Sequence, residues 1–206
     1  MQGWANACRR ALGCAAFLWM GWAAAAAPAA LSPDAGRLYD SIARSSDNAR
    51  MPFAIVDKQQ ARLHVFDARG QLVGSTPVLL GSTLGDHIVP GVGERAQQHA
   101  VRQDERTTPA GRFVSSPGEN ASGEHVVWVD YDSAFAIHRL RPGRAFKSRE
   151  LRLASPDPTD KRVSEGCVVV PVPFYLQVVQ RVLGAGDSVV YVMPEVKPLR
   201  SAFTNL

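Results

Sequence analysis

The chain has 206 residues, of which 46% are hydrophobic and 20% are charged, and its formal net charge is +4. This apolar content is too high for an intrinsically disordered chain, and the glycines and prolines lack the repeat of a fibrous protein. Because the positive excess is small, the composition also argues against a nucleic-acid-binding protein. One compact domain is expected for a chain of this length.

The first 26 residues have the pattern of an export signal. Arg9 and Arg10 form a basic start, and the apolar run that follows them is too short to span a bilayer. Small residues come next, and Ala24 and Ala26 fit the cleavage site of a signal peptidase. We therefore predict a signal peptide over residues 1–26, export to the periplasm or cell wall, and no membrane association after cleavage. An uncleaved membrane anchor is the alternative.

After the signal, residues 27–50 predict a linker or an N-terminal packing helix. Leu38, Tyr39 and Ile42 would lie on one side of such a helix. From Met51 the pattern changes to short apolar runs separated by turn residues, which is typical of an antiparallel meander. The predicted strands of this meander are 53–57, 62–67 and 72–80.

Residues 81–111 are rich in glycine and charge and predict a long loop, which inside a compact domain is usually functional or disordered. His87 and His99 lie in it, but no neighbouring Cys, His or carboxylate pattern supports a metal site, so no metal is predicted. The remaining predicted elements are strands at 111–115, 125–131, 134–140, 168–170 and 188–193, a second loop at 141–163, and a helix from Pro171 or Pro173 to Leu183. The predicted fold is mostly β, a sandwich or curled mixed sheet with one substantial helix.

Cys167 is the one cysteine that remains after removal of the signal peptide. It is therefore a reactive thiol, a thiol that pairs with another chain, or an inert buried side chain. It follows Gly166 at the end of a loop and precedes an apolar strand, a suitable place for an exposed nucleophile. A thiol nucleophile needs a base, and His138 at the end of a predicted strand is the best candidate. His64 and His125 lie within strands and are interpreted as structural.

Three segments, in the order expected, carry a resemblance to a known family. Thr107–Phe113 (TTPAGRF) resembles the T-P-x-G-x-F segment of L,D-transpeptidases with a YkuD-type catalytic domain. Ala136–His138 followed by Ser164–Cys167 (SEGC) is similar to that family's His…[Ser/Thr]-His-Gly-Cys signature. The resemblance covers about residues 51–193. It implies a β-rich catalytic domain over 51–196, followed by a C-terminal tail at 197–206.

The same resemblance implies the chemistry. Family members use no cofactor and act on peptidoglycan stem peptides, which serve as acyl donor and acceptor. Carried over by position, Cys167 is the nucleophile and His138 the base, with the imidazole oriented by the Arg139 carbonyl. The N–H groups of Gly166 and Cys167 would form the oxyanion hole, and Ser164 would support the loop. Substrate binding is assigned to Arg139, Arg162, Thr108 and Gly111.

Glu165 and Val169 depart from the family pattern, which has His and often a polar residue at these positions. Two alternatives therefore stay open. One is a hydrolase of the same fold, either an L,D-carboxypeptidase or an enzyme that detaches wall-bound protein. The other is a catalytically silent wall-binding module. Because Val169 cannot bind a carboxylate, we expect the arginine-rich stretch 139–162 to supply a carboxylate clamp, with Arg139 and Arg162 as first choices.

Overall fold

The computed structural model describes residues 31–203. The predicted signal peptide, residues 1–26, lies outside this range. Within the described range, no helix is long and apolar enough to cross a membrane.

The described part of the chain is mostly β, as predicted. Its strands are β1 (Phe53–Asp57), β2 (Arg62–Phe66), β3 (Leu72–Pro77), β4 (Leu80–Gly81), β5 (Gly111–Glu119), β6 (His125–Asp130), β7 (Phe135–Arg139), β8 (Arg162–Ser164), β9 (Val168–Val170) and β10 (Ser188–Val192). Eight of them form one sheet in the order β3-β2-β1-β10-β5-β6-β7-β9, and β4 pairs with β8. The sheet is mixed, because β1 is parallel to β10 and β7 is parallel to β9, whereas the other pairs are antiparallel.

The sheet curls until its two edges meet. Leu79, just after the edge strand β3, forms an antiparallel bridge with Val169 in the opposite edge strand β9. Both backbone N–H groups donate across this bridge, at 2.8 and 2.9 Å. The interior of the curl is the main core, which buries side chains of β1, β2, β6, β7, β9 and β10. The curled mixed sheet of the predicted fold class is thus confirmed.

The helices are α1 (Pro33–Ser45), α2 (Val92–Gln97), α3 (Phe146–Ala154), α4 (Val172–Phe174) and α5 (Gln180–Val182), with a π-helical stretch, Tyr175–Val179, that makes α4 and α5 one continuous helical run. Short 3₁₀ turns occupy Gln103–Glu105, Pro158–Lys161 and Leu199–Ser201. The helical run corresponds to the predicted C-terminal helix. Tyr175 and Val179 are its fully buried side chains, and Leu183, directly after it, is buried as well.

Helix α1 packs on the outer face of the sheet. Leu38 and Ile42 are buried against Phe53, Phe66 and other side chains of β1, β2 and β10. Ser32 caps the helix, because its Oγ accepts the Ala35 N–H at 3.2 Å. Leu199 and Phe203, near the other end of the described chain, pack against the same cluster.

Two segments predicted as loops contain helices. Helix α2 lies inside 81–111, where two glycines at its start weakened the helical signal. Gly93 is required there because a Cβ would lie 1.9 Å from the Asp132 carbonyl oxygen, so α2 packs directly on the β6–β7 turn. Helix α3 lies inside 141–163. Leu153 is its one buried residue, and it packs with Leu79, Leu140 and Val169.

Candidate active site

The cysteine loop, Ser164–Cys167, connects β8 to β9 and is closed by its own serine. Ser164 Oγ donates to the Cys167 carbonyl at 2.7 Å and accepts the Gly166 N–H at 3.2 Å. Gly166 has a φ of +132°, and a Cβ there would lie 2.8 Å from the Thr107 carbonyl oxygen. Only glycine fits this conformation and this space. Since Ser164 already binds the Gly166 N–H, an oxyanion would compete with Ser164 for that donor.

Thr108 holds the cysteine loop from behind. It is fully buried, and its Oγ1 donates to the Gly166 carbonyl at 2.8 Å and accepts the Gly81 N–H at 2.8 Å. Its hydroxyl is therefore committed to the protein itself and buried, a supporting position, and substrate binding by Thr108 stays a prediction. Gly111 begins β5 opposite Val192, and a Cβ at this position would lie 3.4 Å from the Phe113 ring. Its role in substrate binding stays a prediction.

The Cys167 thiol is half-buried, and its Sγ donates to the Ala134 carbonyl at 3.5 Å. Burial raises the pKa of Cys167 above its ordinary value, and the nearby Glu165 carboxylate adds to the rise. The Ala136 N–H and the Arg141 guanidinium oppose this shift in pKa. The balance keeps the thiol protonated at neutral pH, so the sulfur needs a base to become a nucleophile.

His138 lies in β7, in the strand next to the cysteine. In the parallel β7–β9 pair it is opposite Val169, and Cys167 precedes β9 by one residue, so alternation places both side chains on one face. The imidazole Nδ1 lies 2.8 Å from the Arg139 carbonyl oxygen. A carbonyl only accepts, so in the neutral ring Nδ1 carries the proton and Nε2 is an acceptor.

Burial, assisted by the Arg141 charge, lowers the pKa of His138 to about 4, although the Arg139 carbonyl and Glu124 act in the opposite direction. The imidazole is therefore neutral at pH 7 and able to take a proton. In residues 31–203 the hydrogen bond of the thiol goes to the Ala134 carbonyl and not to the imidazole.

Neither arginine chosen for the carboxylate clamp is free. The Arg139 guanidinium donates to Glu124 Oε1 at 2.5 Å. Arg162 pairs with the buried Glu195 through both terminal nitrogens and also donates to the Lys58 carbonyl at 2.9 Å. Each side chain is thus already held by a carboxylate of the protein itself, and the clamp stays a prediction for these two residues.

Arg141 is a residue of the site that sequence reasoning did not single out. Its Nε donates to Glu124 Oε2 at 3.0 Å, so two arginines, Arg139 and Arg141, share one carboxylate and leave a net positive charge. Arg141 is 44% exposed and acts electrostatically on both Cys167 and His138. In the sequence Arg141 belongs to the basic stretch 139–162, and nothing local indicates that it pairs with Glu124.

A buried ionic cluster supports the site from the other side. The fully buried Lys58 Nζ donates to the carbonyls of Gly85 and Thr108, both at 2.6 Å, and pairs with Asp86 at 2.8 Å. Burial raises the pKa of Asp86, but bonds from Lys58 and from the backbone N–H groups of Glu195 and Lys197 outweigh it and lower that pKa to about 2. Sequence reasoning missed Lys58, since a lone lysine after a strand is ordinarily exposed.

A cavity of about 90 Å³ opens beside the thiol. Helix α2 and the start of β7 form much of its wall, which is largely apolar. Glu165 also lines it, and pairs loosely with Arg106 at 3.4 Å. The lining residues are His87, Ile88, Val89, Val92, Ala96, Val101, Glu105, Thr107, Pro109, Ser133, Ala134, Phe135, Glu165, Gly166 and Cys167.

The other histidines are placed differently. His64 is buried and bonds Ser75 Oγ at 2.7 Å, and His125 bonds the Tyr175 hydroxyl at 2.8 Å. Among the described residues, no cluster of three or more His, Cys, Asp or Glu side chains could hold a metal ion, and neither His87 nor His99 belongs to one.

No protein-family model and no curated protein matches the sequence. The fold is similar to solved L,D-transpeptidases, the family that the sequence motifs resemble. One, in complex with imipenem, has 13% identity and a TM-score of 0.41 over 69% of this chain and 58% of its own. The catalytic domain of the E. faecium enzyme has 18% identity and a TM-score of 0.38, and the match covers 70% of this chain and 98% of that domain. The Xylanimonas cellulosilytica enzyme has 16% identity and a TM-score of 0.39, and the match covers 69% of this chain and 60% of that enzyme's chain. At these values the likeness concerns the course of the backbone and not the chemistry of the site.

Proposed function

We propose that the chain is an exported L,D-transpeptidase of peptidoglycan, with 1–26 as its signal peptide, 51–196 as its catalytic domain and 197–206 as its tail. The observation that carries the proposal is the placement of Cys167 and His138 on neighbouring parallel strands with their side chains on one face. The thiol lies on a glycine turn beside an open cavity, and the imidazole, on the neighbouring parallel strand, has its Nδ1 fixed by the next carbonyl. A neutral thiol beside a neutral imidazole suits general-base activation.

In the first step His138 Nε2 takes the thiol proton as the sulfur attacks the carbonyl carbon of the third stem residue. The C–N bond to the fourth residue, D-Ala, breaks, and the proton leaves with its amine. The product is a thioester on Cys167. In the second step an amine nitrogen attacks the thioester carbon, the C–S bond breaks, and the thiol recovers a proton. If water attacks instead, the enzyme is a hydrolase.

Intact-mass analysis tests the covalent step. Wild-type protein is incubated with imipenem and, separately, with a tetrapeptide stem, and we expect a mass increase of one acyl group on Cys167. Cys167→Ala should show no adduct and an unchanged melting temperature, because the substitution removes the nucleophile and little buried volume. A wild-type protein that never gains an adduct would contradict the covalent mechanism and favour the catalytically silent alternative. Products formed with and without an amine acceptor then separate transfer from hydrolysis.

We further propose that Arg141 is the first choice for the carboxylate-binding side chain for the donor stem, ahead of Arg139 and Arg162. It shares Glu124 with Arg139, but at 44% it is the most exposed of the three, and its charge acts on both Cys167 and His138. Arg141→Gln should slow acylation by a free-carboxylate stem about tenfold, in the range of a hydrogen bond to a charged group, and slow an amidated stem far less. Arg144→Gln, at an exposed position of the same loop, is the matched control.

A further inference from the structure

The outer face of the sheet is only partly covered by helices. Helix α1 packs on β1, β2 and β10, and helix α3 packs against the end of β7 and β9. Val114 of β5 is opposite Val189, a member of the cluster under α1, so it also lies on the outer face, yet it is 55% exposed. Tyr131, in the β6–β7 turn, is 70% exposed. We call Val114, Ser116, Trp128 and Tyr131 the aromatic patch.

The aromatic patch and the thiol belong to the same face. Trp128 in β6 is opposite Ser116 on one side and Ala136 on the other. Cys167 is next in this row, one position before β9 begins to pair with β7. Because neighbouring strands lie about 4.8 Å apart, two strand spacings, or about 10 Å, separate the backbone of Trp128 from that of Cys167. Only the small side chain of Ala136 lies between them in the row.

The two aromatic rings of the patch form a corner. The ring centroids of Trp128 and Tyr131 are 5.1 Å apart, and their planes meet at 71°. A Cβ on Gly118 would lie 2.8 Å from the indole, so this glycine gives the Trp128 ring room to lie on β5. A pyranose ring carries C–H groups on its faces and hydroxyl groups at its rim. An aromatic corner suits this shape, because one ring contacts the C–H groups while the hydroxyl groups stay in water.

Two carboxylates border the aromatic patch and can accept hydrogen bonds from a sugar. Asp187 is exposed, and its Oδ1 accepts the Ser116 hydroxyl at 2.7 Å. Asp130, directly before Tyr131, accepts the Ser133 hydroxyl at 2.5 Å. A carboxylate has acceptor sites beyond the one used here, so both groups have room for further hydroxyl donors. Their negative charges disfavour an anionic polymer and suit a neutral ligand rich in hydroxyl groups.

We propose that the aromatic patch binds the N-acetylated sugar to which the donor stem is attached. The inference rests on the proposed function, because that function places the third stem residue at Cys167. Three extended residues span about 10 Å, the same length as the two strand spacings between Cys167 and Trp128. A stem that crosses β7 towards β6 therefore brings the sugar at its amino end onto the patch. The patch takes part in binding and in no covalent step.

Fluorescence tests the binding directly, because Trp128 is the one tryptophan outside residues 1–26. Mature protein, residues 27–206, is titrated with tetra-N-acetylchitotetraose, and we expect a saturable change in tryptophan emission. Tyr131→Ala should raise the dissociation constant about fivefold, because it removes one ring of the corner. Leu151→Ala, which removes an exposed apolar side chain on α3, is the matched control and should bind as wild type. An emission that does not change, or an unchanged dissociation constant in Tyr131→Ala, overturns the inference.

A second measurement separates this inference from the proposed function. Acylation of Cys167 is followed by intact mass with two donors, the free tetrapeptide stem and the same stem on a disaccharide of N-acetylglucosamine and N-acetylmuramic acid. The half-saturating concentration should be about fivefold lower for the disaccharide stem, because the linked sugar adds its own contact, and Tyr131→Ala should remove this advantage. Equal wild-type values overturn the inference and leave the transpeptidase proposal standing. If neither donor forms an acyl-enzyme, the proposed function is overturned, and the sugar's role in presenting a stem is overturned with it.

Discussion

Thr108 fixes the position of Gly166 through a single hydroxyl, whose Oγ1 donates to the Gly166 carbonyl at 2.8 Å. The carbonyl of the same threonine accepts a bond from the buried Lys58 ammonium at 2.6 Å. A chain of two hydrogen bonds therefore leads from a buried charge to the residue before Cys167. The cysteine loop owes its shape to this support as much as to its own sequence.

Replacing Thr108 with Val, which has the same shape, should leave the Gly166 carbonyl and the Gly81 N–H without their buried partner. An unsatisfied buried group costs about 1–3 kcal/mol, so we expect a loss of about 2–4 kcal/mol in the free energy of unfolding measured in urea. Acylation of Cys167 should also slow. Thr108→Ser keeps the hydroxyl and should lose only about 1 kcal/mol for the missing methyl group. Equal stability of the two variants would contradict the role of the hydroxyl.

Gly166→Ala should displace the cysteine loop, because the new Cβ would lie 2.8 Å from the Thr107 carbonyl oxygen at a φ that L-residues avoid. We expect imipenem acylation to fall by about 100-fold or more, since small displacements of reacting groups have effects of this size. Gly186→Ala is the control, because a Cβ there meets no atom within 4 Å. The acylation rates of both variants are measured by mass spectrometry. Equal rates for Gly166→Ala and Gly186→Ala would disprove the steric argument.

His138→Ala should lower acylation by at least about 100-fold, the lower end of general acid–base contributions. His125→Ala should act only through stability, because its imidazole bonds Tyr175. Since the pKa of His138 is lowered to about 4 and that of Cys167 is raised, wild-type acylation should increase with pH across the neutral range and not fall near pH 6.5. A histidine-like loss of rate at pH 6–7, or an equal rate loss in both variants, would contradict the assignment.

The buried His64 should make the free energy of unfolding depend on pH. Burial lowers its pKa to about 4 in the folded protein, whereas the unfolded chain has the ordinary value of 6.5. As pH falls from 6.5 towards 4 the unfolded chain gains a proton that the folded protein refuses, so stability drops by up to about 3 kcal/mol. His64→Asn preserves a group that can bond Ser75 and removes the titration. The variant should lose less stability than wild type between pH 7 and pH 4.5 in urea unfolding, and parallel curves would refute this origin.

The sequence was sufficient to predict most strands and to select His138 and Cys167 as candidates. It was not sufficient to predict the ion-pair partners of the charged side chains. Short apolar runs and turn residues predicted β1, β2 and β3, and the parallel strands β7 and β9 bring His138 and Cys167 to one face. Arg162 and Glu195, by contrast, pair across 33 positions, and nothing local in either segment indicates the contact. Helix α2 was missed because its stability comes from packing on the β6–β7 turn and not from helix propensity.

The buried Lys58 cluster has a consequence for the order of folding. Arg162 reaches the Lys58 carbonyl across 104 positions, and the Gly85 N–H reaches Glu195 across 110. Contacts of such sequence separation close late, because the chain entropy they cost is recovered only once the intervening sheet exists. The surroundings of the cysteine loop therefore depend on the segment beyond the C-terminal strand β10. A chain without that segment would keep the thiol and lose the Glu195 contacts to Arg162 and Gly85.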